Sequence, residues 1–588
     1  MEVIRCMCAS RKVAWTLKRI DWPWMYHQYE LEEVSLSALL CILKQSYVDT
    51  RAVLRKEPHV ALLIQILNDT AVFRAICAVL LEDMNVQDQP TSRRSAKPAL
   101  PAIQLLSTAV SRYSVLRSTI RGTDSDIMLA PLQTLLLSPL QPSGINILDI
   151  VLLYIEQADD LPFHALYAGR ILRELCAIRP SLQSQMVELL RARKMVARNV
   201  RAIRSVLNPS TIQYTVADIV SPEFDEKDQL RARGEAALVV LEALSDSVET
   251  DPSGHNLCFL LFGFKPSVDK TGQLYESDSQ PTGFHQMLSV LEEFVGAQDP
   301  FQLRFSSLIE PAFRLLQRLV SVDCIYSQAV LRFIRSVNLI QQLVSSPFLS
   351  TTLSQEPAEG PTLLSVTRMI SGSILHLSAL EVSSLLMSGH SNVPHEMYSK
   401  LLETSDAVVN REDVSEGVDN LLFSLLRHGH IELTEEIAYP RLVHFNAHKL
   451  QALFETCKTT TVFNIAQYDI EYLHVLLTRE IVSTQAEDTN AVTREMEAVL
   501  TYGTDVNAQL LQRGASEQLV SGCTALLNVM ALFAPVPFFS TGMLYFFYAC
   551  CFYKGPRGTM VRGAVDTRTV ERSIPARANK AFHPSEVG

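Results

Sequence analysis

Apolar residues recur along this chain at steps of three and four, and polar stretches divide the recurrences into blocks. Residues 361–389, PTLLSVTRMISGSILHLSALEVSSLLMSG, carry Leu363, Val366, Ile370, Ile374 and Leu377 at that spacing, which lays one stripe along an amphipathic helix. Ile470, Leu473, Leu477 and Ile481 repeat the pattern. In DDLPFHALYAGRILRELCAIRPSL, Asp159 and Asp160 offer helix caps, Pro162 suits a first turn and Pro180 predicts the stop. The stretch HNLCFLLFGFKPS (255–267) is continuously apolar but too short to span a bilayer, which needs about 20 residues. It predicts a short helix over 257–264 buried on all sides, with Gly263 closing it or permitting a close helix crossing.

Polar loops are predicted at 83–100, 207–230, 246–255, 265–284, 346–361, 405–418 and 484–491, with no hairpin signal among the helical runs. No strict short repeat is visible, so the tetratricopeptide and ankyrin patterns are absent. At a typical 11–12 residues per helix the chain would hold roughly 25–30 helices, too many for one core. The expected fold class is all-α, an irregular α-solenoid superhelix of antiparallel helix pairs, HEAT- or armadillo-like. The expected organisation is an atypical lead-in over 1–29, a solenoid over 30–535 in blocks 30–205, 229–345 and 361–535, and a tail over 536–588.

Composition agrees with a folded helical chain. Of 588 residues 47% are hydrophobic and 20% charged, and only 22 are glycine, few for sheet-rich or nucleotide-binding folds that need many tight turns. A net charge of −11 disfavours a general nucleic-acid binder. The 11 cysteines include no CxxC pair, so the expectation is buried reduced thiols rather than zinc or redox chemistry. The N-terminus lacks a signal-peptide core, and without secretion the sequon at Asn68 carries no meaning.

From Gln518 to Tyr553 there is no charged residue. Pro535 and Pro537 leave only 538–553 uninterrupted, short of a span, so membrane association is expected to be indirect or through this segment as a tail anchor. The basic remainder has no helical period and is expected to be disordered.

Candidate chemistry is sparse. There is no phosphate-binding glycine loop and no HExxH helix. His428-Gly429-His430 and the pair His444 and His448 cluster, the latter at a spacing that would share one helix face, yet no third ligand of regular spacing accompanies them. No catalytic, cofactor-binding or metal-binding residue is assigned, and no enzyme activity is expected. The sharpest electrostatic feature is LLRARKMVARNVRAIRSVLN. There Arg191, Arg193, Lys194, Arg198, Arg201 and Arg204 form the basic face of one expected helix, opposite Val196, Val200, Ile203 and Leu207. That helix is a candidate dock for an acidic partner, the alternative being a solvated outer face.

Several stretches, in order, resemble the large inner-ring scaffold nucleoporins. HNLCFLLFGFKPSV is similar to that family's apolar helix with its glycine–phenylalanine turn, and GFHQMLSVLEEF to the helix that follows, with Gly283-Phe284 replacing the usual pair. LIEPAFRLLQRLVSVDCIYSQAVLRFIRSVNLIQQLVSSPF resembles its next helical segment, with Arg332-Phe333-Ile334-Arg335 in place. LLSVTRMISGSILHLSALEVSSLL is similar to its long helix before an acidic loop, and FNAHKLQALFETCKTTTVFNIAQYDIEYLHVLLTREI to a later region, with Asn464-Ile465-Ala466-Gln467-Tyr468 replacing the usual residues. Upstream, INILDIVLLYIEQADDLPFHALYAGRILRELCAIRPSLQSQMVELL fits a helix pair, Ala168-Gly169-Arg170-Ile171-Leu172 matching loosely. The resemblance covers roughly 30–535.

The resemblance implies an α-solenoid scaffold at the nuclear pore complex of the nuclear envelope, supporting pore assembly and nucleocytoplasmic transport. It implies other nucleoporins as partners, the linker and adaptor nucleoporins of the inner ring, with no small-molecule substrate. Family members are several times longer, so the chain is expected to be an interior portion with both solenoid ends missing and a foreign tail over 536–588. A soluble karyopherin-like transport receptor and a tail-anchored helical membrane protein are the alternatives.

Overall fold

The computed structural model describes residues 25–44, 57–68, 70–86, 98–121, 145–178, 180–192, 196–220, 228–252, 256–266, 272–274, 281–322, 324–349, 361–387, 421–429, 442–460, 464–484 and 489–533, with isolated positions 135, 137, 437 and 440. The expected tail and its 538–553 segment lie outside them, as do Arg193, Lys194 and His430. The described chain is mostly helical, as its periodicity predicts. Contacts divide it into two compact units, Met1–Leu343 with Phe454–Asp469, and Val344–Leu453 with Ile470–Gly588.

The first unit runs α1 (Met25–Lys44), α2 (Pro58–Asn68), α3 (Thr70–Val86), α4 (Ala99–Ser111), α5 (Tyr113–Arg121), α6 (Ile147–Glu156), α7 (Pro162–Ile178), α8 (Pro180–Ala192), α9 (Val196–Val206), α10 (Val216–Val220), α11 (Gln229–Thr250) and α12 (Leu257–Leu261). After the strands β1 (Phe264–Pro266) and β2 (Gly272–Leu274) come α13 (Gly283–Gly296), α14 (Ile309–Ser321) and α15 (Ile325–Ser336), with α16 (Leu339–Ser345) at the boundary. Helix packs on helix a few elements along: α1 on α4, α4 on α7, α7 on α11, α11 on α14 and α14 on α15. Pro162 opens α7 and the helix ends at Ile178, before Pro180, as expected; Pro180 also opens α8. Asp159 bonds Arg233 at 3.1 Å.

Helix α6 is buried from Ile147 to Ile155. The Asn146 side chain accepts from the Asp149 amide at 2.9 Å, and the Asp149 carboxylate accepts from the Asn146 amide at 3.1 Å. The reciprocal pair satisfies two amides that a buried helix start would otherwise orphan.

The apolar stretch at 257–264 is a buried helix, shorter than expected. Helix α12 ends at Leu261, and Gly263 turns the chain with φ of 88°, a backbone that side-chain-bearing residues rarely adopt. Phe264 then enters an antiparallel ribbon with β2, paired opposite Leu274. This corrects the expectation of an uninterrupted polar loop over 265–284. The reason lies in the aromatics: Phe264 packs at 5.3 Å from Phe284 and 5.7 Å from Phe259, so the strand carries apolar surface into the same core as the helix. A second ribbon, β3 (Lys458–Thr460) with β4 (Ala466–Tyr468), follows α19 (Ala447–Thr456), and Phe454 packs on Tyr468 at 5.0 Å.

The second unit contains α17 (Pro361–Met387), α18 (Leu421–Gly429), α20 (Ile470–Thr484) and the 45-residue α21 (Thr489–Phe533). Helix α21 packs along α17 and against α18 and α20. In α17 the expected stripe is buried at Val366, Ile370, Ile374 and Leu377, but so are Ser365, Thr367, Ser371, Ser373 and Ser378. The helix is covered nearly all round rather than on one face. Thr367 and Ser378 donate to the carbonyls of Leu363 and Ile374, at 2.9 and 2.8 Å, which lets polar side chains face a packed neighbour. Among the described residues α17 is the one helix long and apolar enough to cross a membrane, and 72% of its apolar window is buried inside the protein.

Candidate interaction surfaces

Along α7 and α11 a seam of charge is folded between helices. Arg173 donates to Glu242 at 2.5 Å and to Asp246 at 3.2 Å. Arg318, from α14, reaches Glu249 at 2.6 Å and the Ser245 hydroxyl at 2.7 Å. Deeper still, Glu310 is 1% exposed with Arg314 at 3.7 Å. Where α4, α7 and α11 diverge, the seam opens into a groove of about 660 Å³. Its walls include Tyr167, Arg170, Arg173, Glu174, Glu235, Glu242 and Asp246, and Thr459 and Thr460 of β3 form part of its rim.

Burial pushes the Glu174 and Glu242 carboxyls up to about 7, with Arg173 pulling both partly back. Arg314 also favours the ionised Glu242, whereas Asp246 and Glu310 oppose it; Glu174 likewise faces Asp246. The Asp246 carboxyl is raised by burial too. For Glu174 the folded value exceeds the ordinary 4.5, so the folded state holds the proton more tightly. Its contribution to stability is fully present below about pH 4.5 and is lost as pH rises through about 7. Replacing Glu174 with glutamine is therefore expected to stabilise the chain by about 1–3 kcal/mol at pH 8 and to leave it unchanged near pH 4.5. Urea midpoints at the two pH values check this; equal shifts at both would show that Glu174 ionises freely in the fold.

The basic stretch is not one helix. Helix α8 ends at Ala192 and α9 begins at Val196, so Arg191 stands on one helix and Arg198, Arg201 and Arg204 on the next. Helix α9 buries Val200, Ile203 and Val206 and packs on α6 and α13. Arg198 and Arg201 share Glu156, donating at 3.0 and 3.3 Å. Arg191 is exposed and hydrogen-bonds Tyr326. Leu207, on the expected apolar face, is buried as well.

His444 and His448 do not share a helix face. Helix α19 starts at Ala447, and the chain before it is held by Glu495, whose carboxylate accepts from the amides of Val443 and His444 at 2.8 and 2.9 Å. Among the described residues no group of His, Cys, Asp and Glu is placed to hold a metal ion. Of the seven described cysteines, all free thiols, Cys77, Cys176, Cys258, Cys457 and Cys523 are buried; Cys41, expected inside, is exposed and Cys324 intermediate. Burial pushes the thiols of Cys77, Cys176, Cys258 and Cys523 well above their ordinary range, which keeps them protonated and unreactive.

The groove acids could not be found by local spacing alone, because they come from helices some 70 residues apart. The available signal was Glu235, Glu242, Asp246 and Glu249 at steps of seven, four and three, which place acids along one face of a helix.

Helices packed on helices, with two short ribbons among them, make up the described chain. The chain belongs to the nuclear pore complex scaffold family Nup192, nucleoporins 186/192/205, whose profile matches residues 26–532. That family is a structural component of the nuclear pore complex, at the nuclear envelope, and its members interact with other nucleoporins. Individual curated proteins give no match to the chain.

Proposed function

We propose that the chain is an α-solenoid segment of the pore's inner ring that holds short motifs of linker nucleoporins in grooves between its helices. The carrying observation is the family match over 26–532, which takes in nearly every described helix. The packing of each helix on one a few elements along supports stacking of helix pairs, in which each unit buries its apolar face against the next. In such an array binding energy comes from a few anchors set in interhelical grooves.

A chain tagged with a fluorescent protein is expected to give a punctate nuclear rim, and so is a version ending at Ala534. Diffuse signal from both would overturn the inner-ring reading. We also propose that the basic residues contact an acidic partner. Arg191, Arg193 and Lys194 carry that contact, since Arg198 and Arg201 are engaged by Glu156. Replacing those three with glutamate is expected to weaken the rim signal; an unchanged rim would assign them to a solvated face.

A further inference from the structure

The groove between α4, α7 and α11 is lined by acids of which two, Glu235 and Asp246, are also paired from behind by Arg231 at 3.4 Å and Arg318 at 4.0 Å. Four carboxylates, Glu174, Glu235, Glu242 and Asp246, line it against two guanidiniums, Arg170 and Arg173. Arg170 is spoken for: it lies over the Tyr167 ring at 5.1 Å and reaches Glu235 at 4.0 Å. Arg173 spans Glu242 and Asp246 while remaining 32% exposed. Two acceptors are left over. Glu242 is 3% exposed, yet its Oε1 has no hydrogen-bond donor. Glu174, next to Arg173 in the chain, makes no hydrogen bond among the described residues. A buried carboxyl oxygen without a donor, as at Glu242, is costly to keep, and with the half-buried Glu174 beside it in a cavity it marks a place where a donor from outside can be received.

The rim adds a second requirement. Strand β3 is hydrogen-bonded to β4 on one side only, its three residues are exposed, and Thr459 and Thr460 overlook the groove. An unpaired strand edge accepts an extended backbone as a further strand. A cavity of about 660 Å³ is within the size range of ligand sites, about 300–1,000 Å³.

We propose that this groove docks a short extended segment of a partner protein, its backbone along β3 and a lysine or arginine side chain seated at Glu174 and Glu242. Arg173 is the internal stand-in for that cation: it pairs with Glu242 and Asp246 from α7 and is exposed enough to swing aside. Burial, which holds Glu174 and Glu242 up near 7, disfavours their ionised forms, and an incoming cation favours them. Binding therefore tightens as pH rises through about 7 and weakens with salt. That the partner is a protein rests on the scaffold reading; the cation's seat rests on the groove alone.

The test uses the full chain and four labelled peptides, acetyl-Thr-Val-X-Val-Thr-amide with X lysine, arginine, glutamine or glutamate, followed by fluorescence anisotropy. The lysine and arginine peptides are expected to bind at least tenfold more tightly than the glutamine peptide, with no binding of the glutamate peptide. The double replacement Glu174→Gln and Glu242→Gln is expected to abolish that preference. Glu188→Gln, on exposed α8 surface, is expected to keep it. Because the double variant could disturb the Arg173 pairing, Glu174→Gln alone is measured as well and is expected to lose at least threefold while melting no lower than the parent. Equal binding of the four peptides, binding of none, or a preference that survives the double replacement would overturn the proposal. Loss of the nuclear rim would sink the inner-ring reading and leave this result untouched.

Discussion

Replacing Gly522 with valine is expected to unfold the second unit at temperatures where the parent chain is intact. Helices α17 and α21 cross so closely that a Cβ at Gly522 would lie 2.3 Å from the Gly372 carbonyl oxygen, and one at Gly372 would lie 2.5 Å from the Gln518 carbonyl oxygen. Those neighbours are backbone, which cannot rotate out of the way as a side chain can. The contact is reinforced beside the crossing, where Gln518 donates to Ser373 at 2.8 Å and Arg368 to Ser516 at 3.3 Å. Forcing the helices apart opens a seam along the most extensive contact of the unit, and the cost is about 3 kcal/mol. Gly296, with nothing within 4 Å of a built Cβ, is the matched control, and its change to alanine should stay within about 0.5 kcal/mol. Thermal melts of the three chains decide the matter; a Gly522→Val chain that melts with the parent would show that the helices do not touch at these glycines.

The second large effect is expected at Phe284. This side chain is fully buried and stands edge-on to Phe264 at 5.3 Å, Phe262 at 5.7 Å and Phe333 at 6.0 Å. It therefore joins α13, the turn after α12, β1 and α15 in one cluster. Truncation to alanine removes the ring from all of them at once and leaves a cavity that edge-to-face partners cannot collapse into without losing their own geometry. The expected loss is about 3–5 kcal/mol, read as a lower urea midpoint for the first unit. Phe284→Leu, which keeps more of the volume, should lose less. Equal losses from the two changes would mean that the cluster relaxes around the gap.

What could be read from the chain in advance was what has a period. The stripes at 366–377 and 473–477 and the apolar run at 257–261 are buried helices, because three or more helical steps of apolar residues leave little alternative. The ribbons were illegible for the opposite reason. Their strands are three residues long, too short to show alternation. The second turns partly through Asn464 at φ of 56° rather than through a glycine that would announce it. That Arg191 and Arg198 stand on different helices was hidden because valine and arginine recur in helical register through both. The groove was hidden more deeply: Arg173 and Glu174 meet Glu242 and Asp246 only through the packing of α7 on α11, some 70 residues along the chain.

The placement of β3 and β4 has a consequence in time. The segment Phe454–Asp469 completes the first unit, but the chain must first traverse Val344–Leu453, which belongs to the second. On a ribosome adding about 5–20 residues per second, those residues separate the last helix of the first unit from its final ribbon by roughly 5–20 s. For that interval the nascent first unit carries its acidic groove without the Thr459 and Thr460 rim, and the second unit is begun before the first is finished. The two units are thus interleaved in the order of synthesis, and a ribosome that stalls between 344 and 453 leaves a nascent chain in which neither is complete.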